Sequence, residues 1–97
     1  MKYIVDIDNT ICGTEGSDYL NSKPLLERIE KINSLYDLGH EIHYWTARGS
    51  NSDKDWLELT LQQLNTWGVK YTTAKTGKPA YDVWIDDKAI NAEQYFK

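Results

Sequence analysis

Four carboxylates in this chain stand at the ends of apolar runs, where they could serve one reaction. Asp6 and Asp8 end a run near the N-terminus, and Asp86 and Asp87 follow another near the C-terminus. Residues two apart on a strand point to the same side of it. Carboxylates that lie close together repel each other, so such a site favours a bound cation or a raised pKa on one member. Mg²⁺ prefers oxygen ligands of this kind. The pattern therefore predicts a site for a hard divalent cation.

Each acidic pair also has a purely structural explanation. An isolated Asp-x-Asp is more often a solvated turn or cap, and Asp-Asp ahead of a helix is often an N-cap that the helix dipole favours. The placement of three residues argues against two separate caps, because Asp6, Thr46 and Asp86 each lie at the end of a different predicted strand. Ligands of an open parallel sheet bind outside the carboxyl ends of its strands. The joint placement therefore favours one shared site.

The elements that position these residues alternate along the chain. β-rich runs predict four strands, at Tyr3–Ile7, Glu41–Trp45, Val69–Thr73 and Tyr81–Ile85. Apolar residues at helical spacing predict two helices between the first three strands, which Gly39 and Gly68 end, and a short helix over Ala89–Phe96. Such alternation predicts parallel βαβ units and a sheet covered on both faces. Residues 1–97 are expected to form one domain.

The composition narrows the range of partners. The 97 residues carry a formal net charge of −4, which disfavours a general binder of nucleic-acid backbones. No apolar stretch approaches the roughly 20 residues needed to span a bilayer, so no membrane partner is expected. Two aspartates interrupt the N-terminal run before a secretory signal could develop. The single cysteine, Cys12, allows no intrachain disulfide and fits a reducing compartment, so we expect a cytoplasmic protein.

Four segments of the chain resemble, in order, the motifs of the haloacid dehalogenase (HAD) superfamily. The segment DIDNT at residues 6–10 resembles motif I, DxDx[TV], and Thr46, after an apolar strand, is similar to the motif II Thr or Ser. Lys78, in a Gly-Lys-Pro segment, resembles the motif III lysine, and Asp86-Asp87 resemble the acidic motif IV. Together the motifs span nearly the whole chain. The forms YWTARG, GKPAYD and IDDKAI also look like a group of very short members from bacterial and phage capsule or sugar-biosynthesis contexts.

This resemblance implies an aspartyl-phosphate mechanism. Asp6 would be the nucleophile, and Asp8 would protonate the leaving oxygen and then activate water. Asp6, the backbone carbonyl of Asp8, and Asp86 would hold Mg²⁺, with Asp87 beside it or acting through water. An Asp at the second acidic position of motif I favours a phosphatase over a dehalogenase. The phosphoryl oxygens would be bound by Thr46, Lys78, Asn9 and Ala47.

The spacing of the motifs leaves no room for a cap domain. The stretches between motifs I and II, and between motifs II and III, are already filled by a predicted helix and strand. The resemblance therefore implies a three-layer, Rossmann-like sandwich around a mostly parallel sheet of about four strands, with no cap and an open site. Such members often act on larger substrates or use a neighbouring subunit as a lid. Because the domain is small and 12% aromatic, we expect a homo-oligomer.

Three functions stay open at this point. The first is a Mg²⁺-dependent phosphomonoesterase acting on a small phosphorylated metabolite such as a sugar phosphate. The second is a nucleotide or polynucleotide end phosphatase, which the net negative charge of the chain disfavours. The third is a non-catalytic HAD-fold binding module, which would not need an acid/base at Asp8.

Some residues near the motifs allow two interpretations. Arg48 follows Thr46 and is a candidate substrate contact, but it could equally pair with a neighbouring acid. Lys75 is a second candidate for the motif III lysine, although Lys78 fits the resemblance better. Asn9 stands where many superfamily members have Gly. Cys12 lies near motif I without an evident base, so a cysteine nucleophile is not expected.

Overall fold

Residues 1–50 and 54–97 are described by the computed structural model of the chain. Their strands and helices alternate, as expected for βαβ units. The strands are Lys2–Val5 (β1), Cys12–Gly13 (β2), Lys23–Pro24 (β3), Glu41–Trp45 (β4) and Thr73–Lys75 (β5). The α-helices are Leu26–Asp37 (α1), Leu57–Thr66 (α2) and Ala92–Tyr95 (α3), and a short 3-10 helix covers Tyr19–Asn21. None of the described helices is long and apolar enough to cross a membrane.

A parallel sheet in the order β1-β4-β5 forms the centre of the fold. Lys2 of β1 is level with Glu41 of β4, and His43 of β4 is level with Thr73 of β5. The two-residue strands β2 and β3 form a separate antiparallel pair. The chain therefore belongs to the α/β class, as the alternation of strand and helix patterns predicts.

One face of this sheet carries the core. Val5, Ile42 and Tyr44 alternate with less buried neighbours along β1 and β4, and they form one buried cluster with Ile32 of α1 and Leu64 of α2. The strands lie side by side in chain order, and crossovers between parallel strands are right-handed. Both crossover helices therefore lie on the same face of the sheet.

The opposite face is largely open. Ile4 of β1 is 61% exposed, and His43 and Trp45 of β4 are half-buried. Trp84 packs edge-on against Trp45, with 6.5 Å between the ring centroids. The prediction of helices covering both faces is therefore wrong for α1 and α2, and the described residues show two layers where three were expected.

Both long helices end where the sequence predicts. Gly39 follows α1 with φ 96°, and the His40 N–H donates to the Leu35 carbonyl at 3.1 Å. Gly68 follows α2 in the same left-handed conformation, with φ 72°. A left-handed residue just past the helix lets the next N–H groups bond to the last free carbonyls. Glycine is favoured there because it has no Cβ.

The start of α2 is only partly described. Of the capping box that Ser52 and Asp55 resemble in the sequence, Ser52 lies outside the described residues. Asp55 accepts a hydrogen bond from the Leu57 N–H at 2.9 Å, so a carboxylate does bind a free N–H group at the beginning of this helix.

Two predicted elements begin later than expected. The strand predicted at Val69–Thr73 is β5, at Thr73–Lys75, because the Val69 N–H still donates to the Leu64 carbonyl in the turn that ends α2. The terminal helix predicted from Ala89 begins at Ala92. There Asn91 caps it by accepting the Glu93 N–H at 2.9 Å.

The predicted fourth strand, Tyr81–Ile85, is not confirmed. Within the described ranges these residues pair with no strand, and every residue from 79 to 91 is exposed. We call this exposed segment the C-terminal arm (residues 79–91). The β-rich composition that predicts a strand is realised only when cross-strand neighbours pack against it. The arm has no such neighbours here.

Tyr44 offers a test of the core. It is fully buried, and in the described part of the chain its hydroxyl has no hydrogen-bond partner. A buried polar group without a partner keeps its desolvation penalty, so Tyr44→Phe should raise the free energy of unfolding by about 1 kcal/mol. Urea denaturation measures this change. Tyr81→Phe, at a half-exposed ring, is the matched control and should change it by less than about 0.5 kcal/mol. A destabilised Tyr44→Phe variant would mean that the hydroxyl has a partner.

Candidate active site

Three of the predicted site residues meet at the carboxyl edge of the sheet. The Lys78 ammonium lies 3.7 Å from Asp6 Oδ1, and the Lys78 N–H donates to the Thr46 carbonyl at 3.1 Å. Asp6 directly follows β1, and Thr46 directly follows β4. Lys75 instead lies over the Trp45 ring at 5.5 Å. The structure therefore places Lys78, and not Lys75, beside the motif I aspartate.

The Asp6 carboxylate is only partly compensated in this position. Burial raises its pKa above the usual range, and the neighbouring Asp8 raises it further. Lys78 and the Ile7 backbone N–H act in the opposite direction without cancelling the rise. A raised pKa on a partly buried carboxylate means that more positive charge beside it would be favourable.

Asp8 is bound by Arg48 through both carboxylate oxygens. Arg48 Nε donates to Oδ2 at 3.0 Å, and its terminal NH2 donates to Oδ1 at 2.8 Å. The Thr14 hydroxyl also donates to Oδ1, at 2.6 Å. A two-pronged contact of this kind fixes the plane of the carboxylate as well as its position. Asp8 therefore has one defined orientation in the fold.

Arg48 is itself enclosed, although it is charged. The residue is 1% exposed, and its remaining N–H groups donate to Thr60 at 3.1 Å, Gln63 at 2.6 Å and Ser22 at 3.4 Å. Its guanidinium also lies 4.8 Å above the centre of the Tyr19 ring. No face of the guanidinium is left for a ligand, so the prediction of a substrate contact at Arg48 is wrong. Its alternative, a pair with a neighbouring acid, is what the structure has.

The other predicted phosphate-binding residues surround this pair. Thr46 is buried, and its hydroxyl accepts the Arg48 N–H at 3.2 Å; Ala47 between them is half-buried. Asn9 is exposed, and its side-chain oxygen accepts the Thr14 N–H at 3.1 Å. Asn9 has φ 59°, a left-handed conformation that Asn adopts more readily than most residues and Gly most readily of all. Asn9 is therefore compatible with the left-handed turn at this position.

The predicted metal cluster is not assembled. Asp86 and Asp87 are exposed on the arm, where Asp86 accepts hydrogen bonds from the Lys88 N–H at 2.8 Å and the Trp84 indole at 3.3 Å. These two donors, the Lys88 N–H first, lower the pKa of Asp86. In the described ranges no group of three or more His, Cys, Asp or Glu residues could hold a metal. The predicted set of Asp6, Asp8, Asp86 and Asp87 is separated because, within residues 1–50 and 54–97, Tyr81–Ile85 pairs with no strand.

A groove of about 480 Å³ opens next to Thr14, the residue whose hydroxyl donates to Asp8. It is lined by residues of the loop that contains β2 and β3, namely Asn9, Gly13, Thr14, Glu15, Asp18, Asn21 and Lys23. Gln63 of α2 donates to the Tyr19 carbonyl at 2.6 Å, and the Thr14 and Ser22 hydroxyls lie 2.6 Å apart. The loop is thus held against α2 and the Arg48 pair, so the groove has a fixed wall.

Several residues of this arrangement were not predicted from the sequence. Thr14 and Ser22 lie in the predicted loop, and no spacing marks them. Thr60 and Gln63 carry a weak signal, since they place polar groups on the inward side of an amphipathic helix. Cys12 is buried, and burial raises the pKa of its thiol, which agrees with the expectation that it is not a nucleophile.

The fold and site define an α/β protein with a charged cluster at the carboxyl edge of a parallel sheet. It is similar to a structural-genomics target from Vibrio cholerae, whose crystal structure superimposes with a TM-score of 0.86 at 31% sequence identity. The similarity covers 98% of this chain and 86% of that one. The chain therefore belongs to the same family as the Vibrio cholerae protein. No family model and no curated protein matches it.

The Arg48–Asp8 pair should dominate the stability of the site. Arg48→Met leaves the half-buried Asp8 carboxylate without its partner, so it should lower the free energy of unfolding by about 3 kcal/mol. The double variant Asp8→Asn/Arg48→Met should lose much less than the two single losses added together. Lys70→Met is the matched control, because it removes an exposed ion pair of the same 2.8 Å length and should cost under about 1 kcal/mol. Chemical denaturation of the four variants measures these values, and equal losses in Arg48→Met and Lys70→Met would contradict the expectation.

Proposed function

We propose that this protein is a Mg²⁺-dependent phosphomonoesterase of the HAD type that forms an aspartyl-phosphate on Asp6. The observation that carries the proposal is the meeting of Asp6, Thr46 and Lys78 at one edge of the sheet. A carboxylate can attack an anionic phosphate only where positive charge offsets the repulsion. Lys78 supplies such a charge at 3.7 Å from the attacking carboxylate.

The two chemical steps divide between Asp6 and Asp8. In the first, an Asp6 oxygen bonds to phosphorus, the bond to the leaving oxygen breaks, and Asp8 gives that oxygen its proton. In the second, Asp8 takes a proton from water, which attacks phosphorus and releases inorganic phosphate from Asp6. The contact with Arg48 fixes the position and the plane of the Asp8 carboxyl group, which serves both steps. Arg48 is therefore a positioning residue in this proposal.

Mg²⁺ fits the residues at this edge. The pKa of Asp6 is raised because burial and Asp8 outweigh Lys78, so a cation at this carboxylate would be stabilised. Asp6 and the backbone carbonyl of Asp8 would hold the ion, together with Asp86 and with Asp87 beside it. When bound, Mg²⁺ supplies charge that neutralises the phosphoryl group.

Bringing Asp86 to Asp6 calls for the fourth strand that the sequence predicts at Tyr81–Ile85. β1 pairs with β4 along one edge, and its other edge has no partner in the described part of the chain. We propose that Tyr81–Ile85 pairs with this free edge in the active enzyme. The strand would bury Val83 and Ile85, which are 73% and 93% exposed here.

The groove next to Thr14 favours a small hydroxylated leaving group, such as that of a sugar phosphate. Its lining side chains are carboxylates, amides, a hydroxyl and an ammonium, which all bond to alcohol groups. None of its lining residues is aromatic, so a nucleobase would find no surface for stacking there. This favours a sugar phosphate over a nucleotide or polynucleotide end. A cytoplasmic enzyme is in keeping with its buried free thiol.

A non-catalytic binding module is the remaining alternative. The Arg48–Asp8 pair alone would also suit a structural role for Asp8. It does not account for Asp6, whose partly buried carboxylate is destabilised where it lies. Unfavourable charges kept at a cleft are typical of functional sites.

Phosphate release should depend on Mg²⁺. An excess of chelator should abolish hydrolysis of an activated aryl phosphate, and added Mg²⁺ should restore it, because Lys78 alone does not offset the charges of Asp6, Asp8 and the substrate. A colorimetric phosphate assay before and after dialysis measures this dependence. Full turnover in excess chelator would remove the metal from the mechanism.

Variants of the two aspartates should differ in kind. Asp8→Asn should lower turnover of a sugar phosphate by roughly 10²–10⁴-fold. With an aryl phosphate, whose leaving group needs little protonation, phospho-Asp6 should accumulate in this variant. Asp6→Asn should form no covalent intermediate with any substrate. Intact-protein mass after a rapid acid quench detects the added phosphoryl group.

Asp37→Asn is the matched control for both variants, because this exposed carboxylate lies at the end of α1 and pairs with Lys70. It should keep wild-type turnover. If Asp6→Asn still becomes phosphorylated, or turns over like the wild type, Asp6 is not the nucleophile and the proposed function fails.

A further inference from the structure

The C-terminal arm is an unusual surface for a domain of this size. All thirteen residues from 79 to 91 are exposed, and the segment includes Tyr81, Val83, Trp84, Ile85 and Ile90. Contiguous apolar surface of this kind marks an interaction site more often than a solvated loop. The two ends of the arm are nevertheless fixed to the domain.

Hydrogen bonds and ion pairs fix those two ends. The Lys78 N–H bonds to Thr46, and the Lys78 carbonyl accepts the Ser50 hydroxyl at 2.6 Å. Beyond the arm, Glu93 of α3 pairs with Arg28 of α1 at 2.9 Å. The arm is therefore a loop between two anchored points rather than a fraying terminus.

The free edge of β1 is the complementary surface. This edge offers unpaired backbone groups, and Ile4 stands exposed in the middle of the strand. Exposed strand edges readily accept a strand from another chain. The arm carries a β-rich run, Tyr81–Ile85, that has no strand partner in the described residues.

The arm is too short to reach the β1 edge of its own chain. Strands lie about 4.8 Å apart and rise about 3.3 Å per residue, so a strand on that edge lies about 10 Å sideways from β4. Lys2 of β1 is level with Glu41, five residues before Thr46, so such a strand begins about 17 Å below Thr46. The straight distance is therefore about 19 Å. The chain from Lys78 to Tyr81, where the run begins, spans at most about 11 Å when fully extended.

The observed contacts also oppose this path. Lys78 lies 5.1 Å from the Tyr81 ring centre and 5.6 Å from that of Trp84, and Trp84 rests on Trp45. The chain thus stays at the carboxyl end of β4 as far as residue 84, and it does not run towards the amino end of β1.

We propose that the arm pairs with the β1 edge of a second copy of this chain. The two copies exchange arms around a two-fold axis, so that each free edge receives the run Tyr81–Ile85 of the other chain. With Asp86 level with Asp6, Val83 and Ile85 lie beside β1 on the face that carries the core, and Trp84 lies beside Ile4 on the open face. Reciprocal exchange of one element is a common route to a closed dimer.

Exchange also completes the catalytic site, a consequence that rests on the proposed function. A strand parallel to β1 ends beside Asp6, and Asp86 is the residue that follows the paired run. Each site then combines Asp6, Asp8, Thr46 and Lys78 of one chain with Asp86 of the other.

The dimer is tested first without any measurement of activity. Static light scattering at micromolar concentrations should give about twice the 11.3 kDa chain mass. Val83→Lys places a charge in the paired run and should raise the dimer dissociation constant by at least about tenfold. Leu38→Lys, at an equally exposed residue after α1, is the matched control and should leave the mass at the wild-type value. A monomeric wild type overturns the proposal, and so does a Val83→Lys variant that dimerises as tightly as the wild type.

The exchange is tested by mixing two inactive variants. Asp6→Asn and Asp86→Asn chains are refolded separately and together, and hydrolysis of an aryl phosphate is measured with Mg²⁺. With exchanged arms, half of randomly paired dimers are mixed and hold one intact site of two, so the mixture should recover about a quarter of wild-type activity. Without exchange, every site lacks one aspartate and the mixture stays inactive.

The outcomes separate the two proposals. Recovery in the mixture supports the exchange. An active wild type with no recovery in the mixture overturns the exchange and leaves the proposed function standing. An inactive wild type overturns the proposed function and the shared site, while the light-scattering result still decides whether the arm forms the dimer.

Discussion

The contact between Arg48 and Asp8 organises the functional end of this molecule. A guanidinium that is 1% exposed requires hydrogen-bond acceptors around it, and the chain supplies them from three separate segments. Asp8 comes from the turn after β1, Ser22 from the loop before β3, and Thr60 and Gln63 from α2. Breaking one buried ion partner leaves the other uncompensated, so these segments are held together as a unit. The contact thereby positions residues that are distant in the sequence.

The same contact gives Asp6 and Asp8 different environments. Asp6 lies outside the ion pair, next to Lys78, with a raised pKa and partial exposure. Asp8, two residues later, is fixed by three donors and has little freedom to move. One carboxylate is thus partly exposed beside Lys78, and the other is held in place by its donors. The left-handed turn at Asn9 directs the chain away after Asp8, so that Thr14 returns to contact it.

Much of the fold is predictable from local patterns in the sequence. β4 has the predicted bounds, and Gly39 and Gly68 end the two long helices because a left-handed residue after a helix is a local requirement. Asp6, Thr46 and Lys78 converge because the carboxyl ends of parallel strands share one edge. These inferences need only nearest neighbours or a general rule of sheet topology.

The features that the sequence did not predict depend on residues distant in the chain. Whether Tyr81–Ile85 forms a strand depends on whether this run can reach a free strand edge. Strand propensity carries no information about that distance. The predicted number of layers was wrong because the hydrophobic pattern does not determine the order of strands in the sheet. That order puts α1 and α2 on one face. Arg48 was ambiguous because five residues between 8 and 63 enclose it, and their spacing follows no motif.

Strand order in the sheet is the same as strand order in the chain. β4 adds beside β1 after 39 residues, and β5 adds beside β4 after a further 30, each through one intervening helix. No strand has to be inserted between two that are already paired. A chain emerging from the ribosome can therefore complete β1, α1 and β4 as a packed unit before α2 is synthesised, and growth continues at the open side of β4. Synthesis from the N-terminus thus produces the strands in the order in which they pair. This limits the time that unpaired apolar strands spend exposed during folding.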